Sequence, residues 1–162
     1  MTVTTDWAFA PEAYDTPDAS ALRRDYYDEV ASRYWKRPAT TAEIDEGLTN
    51  DGVGQLVPPT GQFLVGRYGG EPAACGGVLL LDAGRAELTR VYVRPPYRSS
   101  GGAALLLRGL EDAARALGAH RAVLNTRLDL VEARALYTRH GYAEIPAYCE
   151  GPYMDIWYGR EL

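Results

Sequence analysis

The sequence predicts a mixed α+β fold in which one central, mostly antiparallel sheet is flanked by about four helices. Three β-type segments at 63–68, 73–81 and 87–93 follow one another with only short turns between them, which is typical of an antiparallel meander. A long apolar segment with helical spacing, 102–117, then precedes a short strand at 122–126. We therefore expect the sheet to become locally parallel around that helix.

Composition favours one domain over residues 1–162, because 46% of the residues are hydrophobic and a sizeable core can form. The net charge is −5 and Lys36 is the only lysine, which argues against nucleic acid as a partner. The chain shows no secretion signal and no apolar stretch of membrane-spanning length, so we expect no membrane association and a cytoplasmic protein. Cys75 and Cys149 have no metal-site or disulfide spacing, in keeping with a reducing compartment.

The first elements are a short strand and two helices. Trp7, Phe9 and Ala13 are candidates for one face of the strand. A hydroxyl, a proline and an acid in succession at 16–18 predict the start of a helix over 17–34. Either of the threonines at 40–41 can cap the second helix.

Turn residues divide the remaining elements. Two glycines at 69–70 predict a tight hairpin between the first two meander strands. Asp129 and Glu132 have the spacing of a capping box and predict a helix that ends at Gly141. Two last strands are expected at 142–147 and 153–158.

The most informative stretch begins where the third meander strand stops. The proline pair at 95–96 ends that strand, and a glycine-bearing turn at 98–103 leads directly into the long helix. Such a turn directs backbone N–H groups and the positive end of the helix dipole at one point, which suits a phosphate group. The alternative is an ordinary glycine turn. No lysine follows the glycines as a P-loop requires, and no βαβ unit supports a dinucleotide fingerprint.

Two motifs give this stretch a family resemblance. Residues 98–103, RSSGGA, fit the Q/R-x-x-G-x-G/A loop, and residues 133–142, ARALYTRHGY, fit the A-x-x-L-Y-x-x-x-G-F/Y segment of the GCN5-related N-acetyltransferase (GNAT) superfamily. The resemblance covers about residues 63–162 well and the N-terminal helices loosely. It implies the acyl-CoA N-acyltransferase fold. Leu130 departs from the pattern, because many members have asparagine there.

The resemblance implies acetyl-CoA as cosubstrate and no metal. Backbone N–H groups of the turn would bind the pyrophosphate, and the end of the preceding strand would hold the pantetheine arm and the thioester. Asn125 would contact pantetheine or the acceptor, unless it only satisfies the end of its strand. The implied cofactor-binding residues are Val91, Tyr92, Val93, Arg98, Ser99, Ser100, Gly101, Gly102, Ala103 and Asn125.

Two side chains are candidates for proton transfer. An alkyl ammonium with a pKa of about 10 must lose a proton before its nitrogen can attack, and Glu87 is the candidate base. Tyr137 is the candidate general acid, because the leaving thiolate of coenzyme A needs a proton. The alternatives are an exposed acid at the end of a strand and a core tyrosine of an amphipathic helix.

The resemblance predicts transfer of an acetyl group to a primary amine of a small molecule, by direct attack in a ternary complex. A protein N-terminus or lysine is the alternative acceptor, and a non-catalytic acetyl-CoA sensor is the alternative class. A homodimer is left open. Aromatic side chains of the first helix and the last hairpin are candidates for an acceptor cleft, unless they belong to the core: Tyr26, Tyr27, Tyr34, Trp35, Tyr148 and Tyr153. Three acids can attract a cationic amine, unless they are merely solvated: Asp28, Glu29 and Glu150.

Overall fold

A computed structural model describes residues 6–162 of the chain. The helices in this range are α1 Pro17–Trp35, α2 Thr41–Thr49, α3 Gly102–Ala116 and α4 Val131–Arg139. The strands are β1 Trp7–Pro11, β2 Gly61–Tyr68, β3 Glu71–Leu80, β4 Arg85–Val93, β5 Arg121–Thr126, β6 Ala143–Ile145 and β7 Ile156–Glu161. Short 3₁₀ turns lie at Val53–Gln55 and Pro95–Tyr97.

All seven strands form one sheet in the order β1-β2-β3-β4-β5-β7-β6. Each neighbouring pair is antiparallel except β4 and β5, which are parallel and are joined through α3. This arrangement confirms the predicted fold class, including the meander and the local parallel pairing. Gly69 and Gly70 both have positive φ, of 58° and 89°, as the predicted tight hairpin requires.

The sheet opens between β4 and β5. Their pairing runs only from Arg85 opposite Arg121 to Glu87 opposite Val123. Beyond that point β4 continues to Val93 and β5 to Thr126, so the two carboxyl ends leave a gap in the middle of the sheet. Open carboxyl ends of parallel strands are a common place for ligands.

A β-bulge interrupts β4 beside this gap. The pairing of β3 with β4 shifts register between Cys75 and Gly77, and Arg90 takes a φ of 55°. A bulge re-aims side chains and exposes backbone groups that would otherwise pair. The Cys75 Sγ lies 3.7 Å from the Arg90 carbonyl oxygen and donates a weak hydrogen bond to it.

Helices cover both faces of the sheet. On one face Leu106 and Leu110 of α3 are fully buried in a cluster that also holds Tyr137 of α4. On the other face Leu22 of α1 packs with Phe63 and other strand residues in a second cluster. Residues of α1 on one face and of α4 on the other border the gap between β4 and β5.

Several predicted boundaries need correction. Asp129 does not cap α4, since the helix begins after Leu130 without a side-chain cap. The guanidinium of Arg127 instead binds both oxygens of the Asp129 carboxylate at 2.8 and 2.9 Å. In contrast, Thr40 forms a full capping box with Glu43 at the start of α2.

The last two strands are also displaced from the prediction. The penultimate strand covers only Ala143–Ile145, and the last begins at Ile156, so that Tyr153 lies in the connecting segment and is exposed. Ala13 falls beyond the end of β1. None of the helices in residues 6–162 is long and apolar enough to cross a bilayer.

Candidate active site

Two cavities meet at the gap in the sheet. The first, which we call the strand cleft, has a volume of about 340 Å³ and is lined by the predicted residues Val91, Tyr92, Val93, Arg98, Ala103, Asn125 and Tyr137. The second, the aromatic cavity, has a volume of about 380 Å³ and lies against α1 and the segment 152–154. Both sizes fall in the usual range for small-molecule sites. The shared walls are Tyr26, Val30, Thr89, Arg90, Asn125, Thr126 and Leu130.

The turn at 98–103 shapes one end of the strand cleft with its backbone. Ser99 and Gly101 have φ values of 64° and 85°, and Gly101 caps α3 without any side-chain hydrogen bond to the first-turn amides. Those amides have no partner within their helix, and they lie at the positive end of its dipole. Arg98 and Ala103 line the cleft, whereas Ser99, Ser100, Gly101 and Gly102 are not among the side chains of its wall.

The Arg98 side chain is held in place by protein groups. Its Nε donates to the Val93 carbonyl at 2.8 Å, and its Nη2 donates to both Glu29 carboxylate oxygens at 2.8 and 2.9 Å. The guanidinium also lies over the Tyr92 ring, 5.8 Å from its centroid. Arg98 thus ties the turn to the end of β4 and to α1.

Gly102 is required by close packing against β1. A Cβ at this position would lie 2.2 Å from Cζ2 of Trp7, inside its indole ring. The Trp7 Nε1 donates to Ser100 Oγ at 3.0 Å, and Ser100 Oγ donates to the Tyr97 carbonyl. The indole of β1 therefore sets the height of the turn above the sheet.

Tyr137 projects from α4 into the strand cleft. It is 6% exposed, and its ring packs between those of Tyr142 and Tyr158 at centroid distances of 5.8 and 6.1 Å. Burial raises the pKa of the Tyr137 phenol above its ordinary value of 10.0. The phenol therefore keeps its proton throughout the neutral and mildly alkaline range.

Glu87 lies one side chain behind the cavities and lines neither of them. Its Oε2 accepts a hydrogen bond from the Tyr148 hydroxyl at 2.7 Å and a longer one from Asn125 Nδ2 at 3.4 Å. The pKa of the Tyr148 phenol is raised, first by burial and second by this hydrogen bond to Glu87. Asn125, which lines both cavities, is the link between Glu87 and the place where they join.

The sequence pattern of the acetyltransferase (GNAT) family matches residues 17–142, more than half of the chain. The chain belongs to the GNAT acetyltransferase family. Transfer of an acetyl group from acetyl-CoA is the activity of this family.

Relatives support this assignment. The chain is 33% identical over 99 residues to an "IAA acetyltransferase" of Azospirillum brasilense, a match that spans 60% of this chain and 63% of that relative. A Klebsiella pneumoniae structure described as an acyl-CoA N-acyltransferase is 28% identical, has a TM-score of 0.73, and is matched over 96% of this chain and 97% of its own. An Elizabethkingia anophelis GNAT acetyltransferase with acetyl-CoA bound is similar in fold only, at 17% identity, a TM-score of 0.66, and coverage of 97% and 99%.

The site of this GNAT protein has the features that an extended, phosphate-bearing thioester needs. The uncapped start of α3 can accept the pyrophosphate, and only Gly102 and Ala103 follow there, so no large side chain blocks the approach. Val91 and Tyr92 follow the β4 bulge and line the cleft towards Tyr137. No cluster of three potential metal ligands occurs within residues 6–162.

The two cysteines of the chain differ sharply in environment. Burial raises the pKa of the Cys75 thiol to about 12, whereas Cys149 is partly exposed. We expect DTNB at pH ~8 to label Cys149 in the folded protein and Cys75 only after unfolding, because the thiolate is the reactive form. Peptide mapping of the labelled protein checks this. Rapid labelling of Cys75 in the native state would contradict its assigned place in the core.

Sequence reasoning missed Arg90 and Arg127, and it placed Tyr148 in the wall of the acceptor cleft. Arg90 and Arg127 both line the aromatic cavity, and Tyr148 is bound to Glu87 rather than lining that cavity. The bulge that turns Arg90 towards the cavity has no signal in the alternating pattern of its strand. Arg127 directly follows β5 and lies two residues after Asn125, and this position could have indicated that it lies near the site.

Proposed function

We propose that this chain is an acetyl-CoA-dependent N-acetyltransferase that acetylates a primary amine of a small molecule by direct attack in a ternary complex. The observation that carries the proposal is the meeting of the two cavities at Asn125 and the β4 bulge. One cavity suits an extended thioester and the other suits a second reactant. A junction between them brings the two reactants together without an acyl-enzyme step.

Protein groups divide the work at this junction. Acetyl-CoA supplies the acetyl thioester, and attack by the amine forms the N–C bond as the C–S bond breaks. The backbone of β4 at its bulge, residues 90–91, orients the carbonyl group of the thioester. Tyr137 retains its proton in the cleft and donates it to the sulfur that leaves. Cys75 is buried and takes no part.

Glu87 is proposed to receive the proton that the amine loses by way of the Tyr148 hydroxyl, which accepts it and passes its own proton to the carboxylate, while the Asn125 amide holds these two groups in place. Glu87→Gln is expected to lower kcat/KM by about tenfold or more at pH ~7, with a smaller loss at pH ~9.5, where more of the amine is already neutral. The pH profile of kcat/KM checks this, with Glu71→Gln, an exposed acid at the start of β3, as the control. A loss of the same size at both pH values would instead make Glu87 a positioning residue.

A small acceptor is favoured over a protein segment by the aromatic cavity. Its walls come from α1, from Leu48 of α2 and from the 152–154 segment, so the second reactant is surrounded on several sides. A protein acceptor needs an exit for the rest of its chain, in one direction from an N-terminus and in both directions from a lysine. The name of the A. brasilense relative, "IAA acetyltransferase", also agrees with a small-molecule acceptor.

Incubation of the purified protein with acetyl-CoA and a panel of amines tests the proposal. We expect coenzyme A release that depends on the amine, together with the acetylated amine detected by mass spectrometry. Tight acetyl-CoA binding without turnover on any small amine or peptide would favour a sensor. Turnover of peptides alone would favour a protein acetyltransferase.

A further inference from the structure

The lining of the aromatic cavity indicates what kind of molecule it receives. Most of the wall is aromatic or apolar, and the aromatic part consists of Tyr26, Tyr27, Tyr34, Trp35 and Tyr153. The rings of Tyr34 and Tyr153 meet edge to face at 5.0 Å and join α1 to the 152–154 segment. Such a wall favours a second reactant with an aromatic or large apolar group.

The charged residues of this wall are unexpected in an acidic protein. Arg23, Arg90 and Arg127 line the cavity, whereas Asp51 is the single acid that does so within the described residues. Asp51 Oδ2 lies 3.5 Å from Arg23 Nη2 and 3.6 Å from Arg90 Nη2, so one carboxylate is shared by two guanidinium groups. The acids Asp28, Glu29 and Glu150 do not line this cavity.

Arg127 is already neutralised by the protein. Its guanidinium binds Asp129 through two hydrogen bonds, donates a third to the Val30 carbonyl at 2.7 Å, and lies over the Tyr34 ring. Arg127 therefore joins the end of β5 to α1. The surplus positive charge belongs to Arg23 and Arg90.

Each of these arginines also donates to a backbone carbonyl, Arg23 Nη1 to Tyr14 at 3.1 Å and Arg90 Nη2 to Asp51, but neither has a carboxylate of its own. Their side chains are only 11% and 14% exposed, and the Nε of Arg23 is buried without a hydrogen-bond partner in the described part of the chain. A buried donor without a partner is unfavourable, and an arginine pairs best with a carboxylate. An acceptor with only a cationic group would meet two guanidinium groups and one shared acid. An acceptor that also carries a carboxylate would balance them.

The position of Arg90 limits where this carboxylate lies. Arg90 lines both the aromatic cavity and the strand cleft, at the bulge where its φ is 55°. Strained backbone of this kind is concentrated at functional sites. Since the amine must also reach the junction of the two cavities, the carboxylate and the amine of one molecule have to be close neighbours. That is the arrangement in an α-amino acid.

We infer that the acceptor of the proposed N-acetyltransferase is an α-amino acid with an aromatic or large apolar side chain, with its carboxylate bound by Arg90 and Arg23. The inference rests on the proposed function and names the substrate class of the same site. Acetylation forms a bond between the α-nitrogen and the acetyl carbon, breaks the thioester C–S bond, and leaves the carboxylate unchanged.

Matched compounds that differ in the carboxylate test the inference. We expect kcat/KM for phenylalanine and tyrosine to exceed the values for phenethylamine and tyramine by about tenfold or more, because a site built for a polar group rejects analogues that lack it. Arg90→Gln and Arg23→Gln should each lower this ratio by about tenfold, whereas Arg90→Lys should retain part of it. The control is Arg24→Gln, on the same helix as Arg23 but outside the cavity and paired with Asp45.

A binding measurement keeps the test independent of turnover. N-acetylphenylalanine and its neutral primary amide are titrated into the coenzyme A complex of the same variants. Tighter binding of the acid, lost in Arg90→Gln and Arg23→Gln, supports the carboxylate site even if the thiol assay is silent. Efficient turnover of phenethylamine with no preference for phenylalanine would overturn the substrate class and leave acetyl transfer standing. No turnover of any amine would overturn the proposed function, and equal binding of acid and amide would overturn the carboxylate site.

Discussion

Replacing Tyr137 with phenylalanine is expected to lower kcat by about 10²- to 10⁴-fold, the usual contribution of a positioned acid, with little change in acetyl-CoA affinity. The phenol lines the strand cleft, and its burial keeps it protonated. Burial makes the Tyr137 phenol a weaker acid than a phenol in water. The same burial makes a thiolate that forms in the cleft a stronger base, so the proton transfer from phenol to sulfur remains favourable.

The substitution is a clean one because it removes only a hydroxyl. The ring stays packed between Tyr142 and Tyr158, so the fold is expected to persist. Tyr158→Phe is the matched control, since Tyr158 is buried in the same cluster but lines neither the strand cleft nor the aromatic cavity. Single-turnover rates measure the chemical step directly. An unchanged single-turnover rate in Tyr137→Phe would remove the tyrosine from the mechanism.

Enlarging Gly102 is expected to damage both stability and cofactor binding. The Cβ of an alanine would overlap the Trp7 indole, and an extra group in a tightly packed site typically costs about 1–3 kcal/mol. Since the ring is rigid and held by Ser100, the start of α3 must move instead. We expect Gly102→Ala to lower the urea midpoint and to weaken coenzyme A binding by about tenfold or more, because the first-turn amides shift with it.

Two further variants separate this clash from a general glycine effect. Gly109→Ala lies in the same helix, where the new Cβ would approach only the flexible end of Leu64, at 3.3 Å. It is expected to be neutral or stabilising, since alanine is favoured in a helix by about 1 kcal/mol. Trp7→Leu removes the obstructing ring, so the Trp7→Leu, Gly102→Ala double variant should lose less than the sum of the single losses. Strict additivity would contradict the proposed contact.

The fold could be read from the sequence where local signals agree. The two glycines at 69–70, the apolar spacing of α3 and the short turns of the meander each fix one element, and together they leave few topologies. The prediction that Asp129 caps α4 was wrong, because the nearby Arg127 binds the Asp129 carboxylate. Local patterns contain no information on such a contact.

The candidate site was predictable to a smaller extent. The motif residues Arg98, Ala103 and Tyr137 line the strand cleft, because the turn and the helix that carry them follow from local sequence patterns. The charge of the aromatic cavity was not predictable, because Arg23, Arg90 and Asp51 come from three separate segments and meet only in the folded chain. The turn of Arg90 towards the cavity depends on a bulge that its own sequence does not announce.

A crystal structure with coenzyme A would show directly whether this cleft binds the cosubstrate. We expect the pyrophosphate at hydrogen-bonding distance, about 3 Å, from backbone N–H groups of residues 99–103. We also expect the pantetheine arm between β4 and β5, with the sulfur beside the Tyr137 hydroxyl and the aromatic cavity left open to an acceptor. A pyrophosphate bound elsewhere, or a sulfur directed away from Tyr137 and Asn125, would contradict the proposed site.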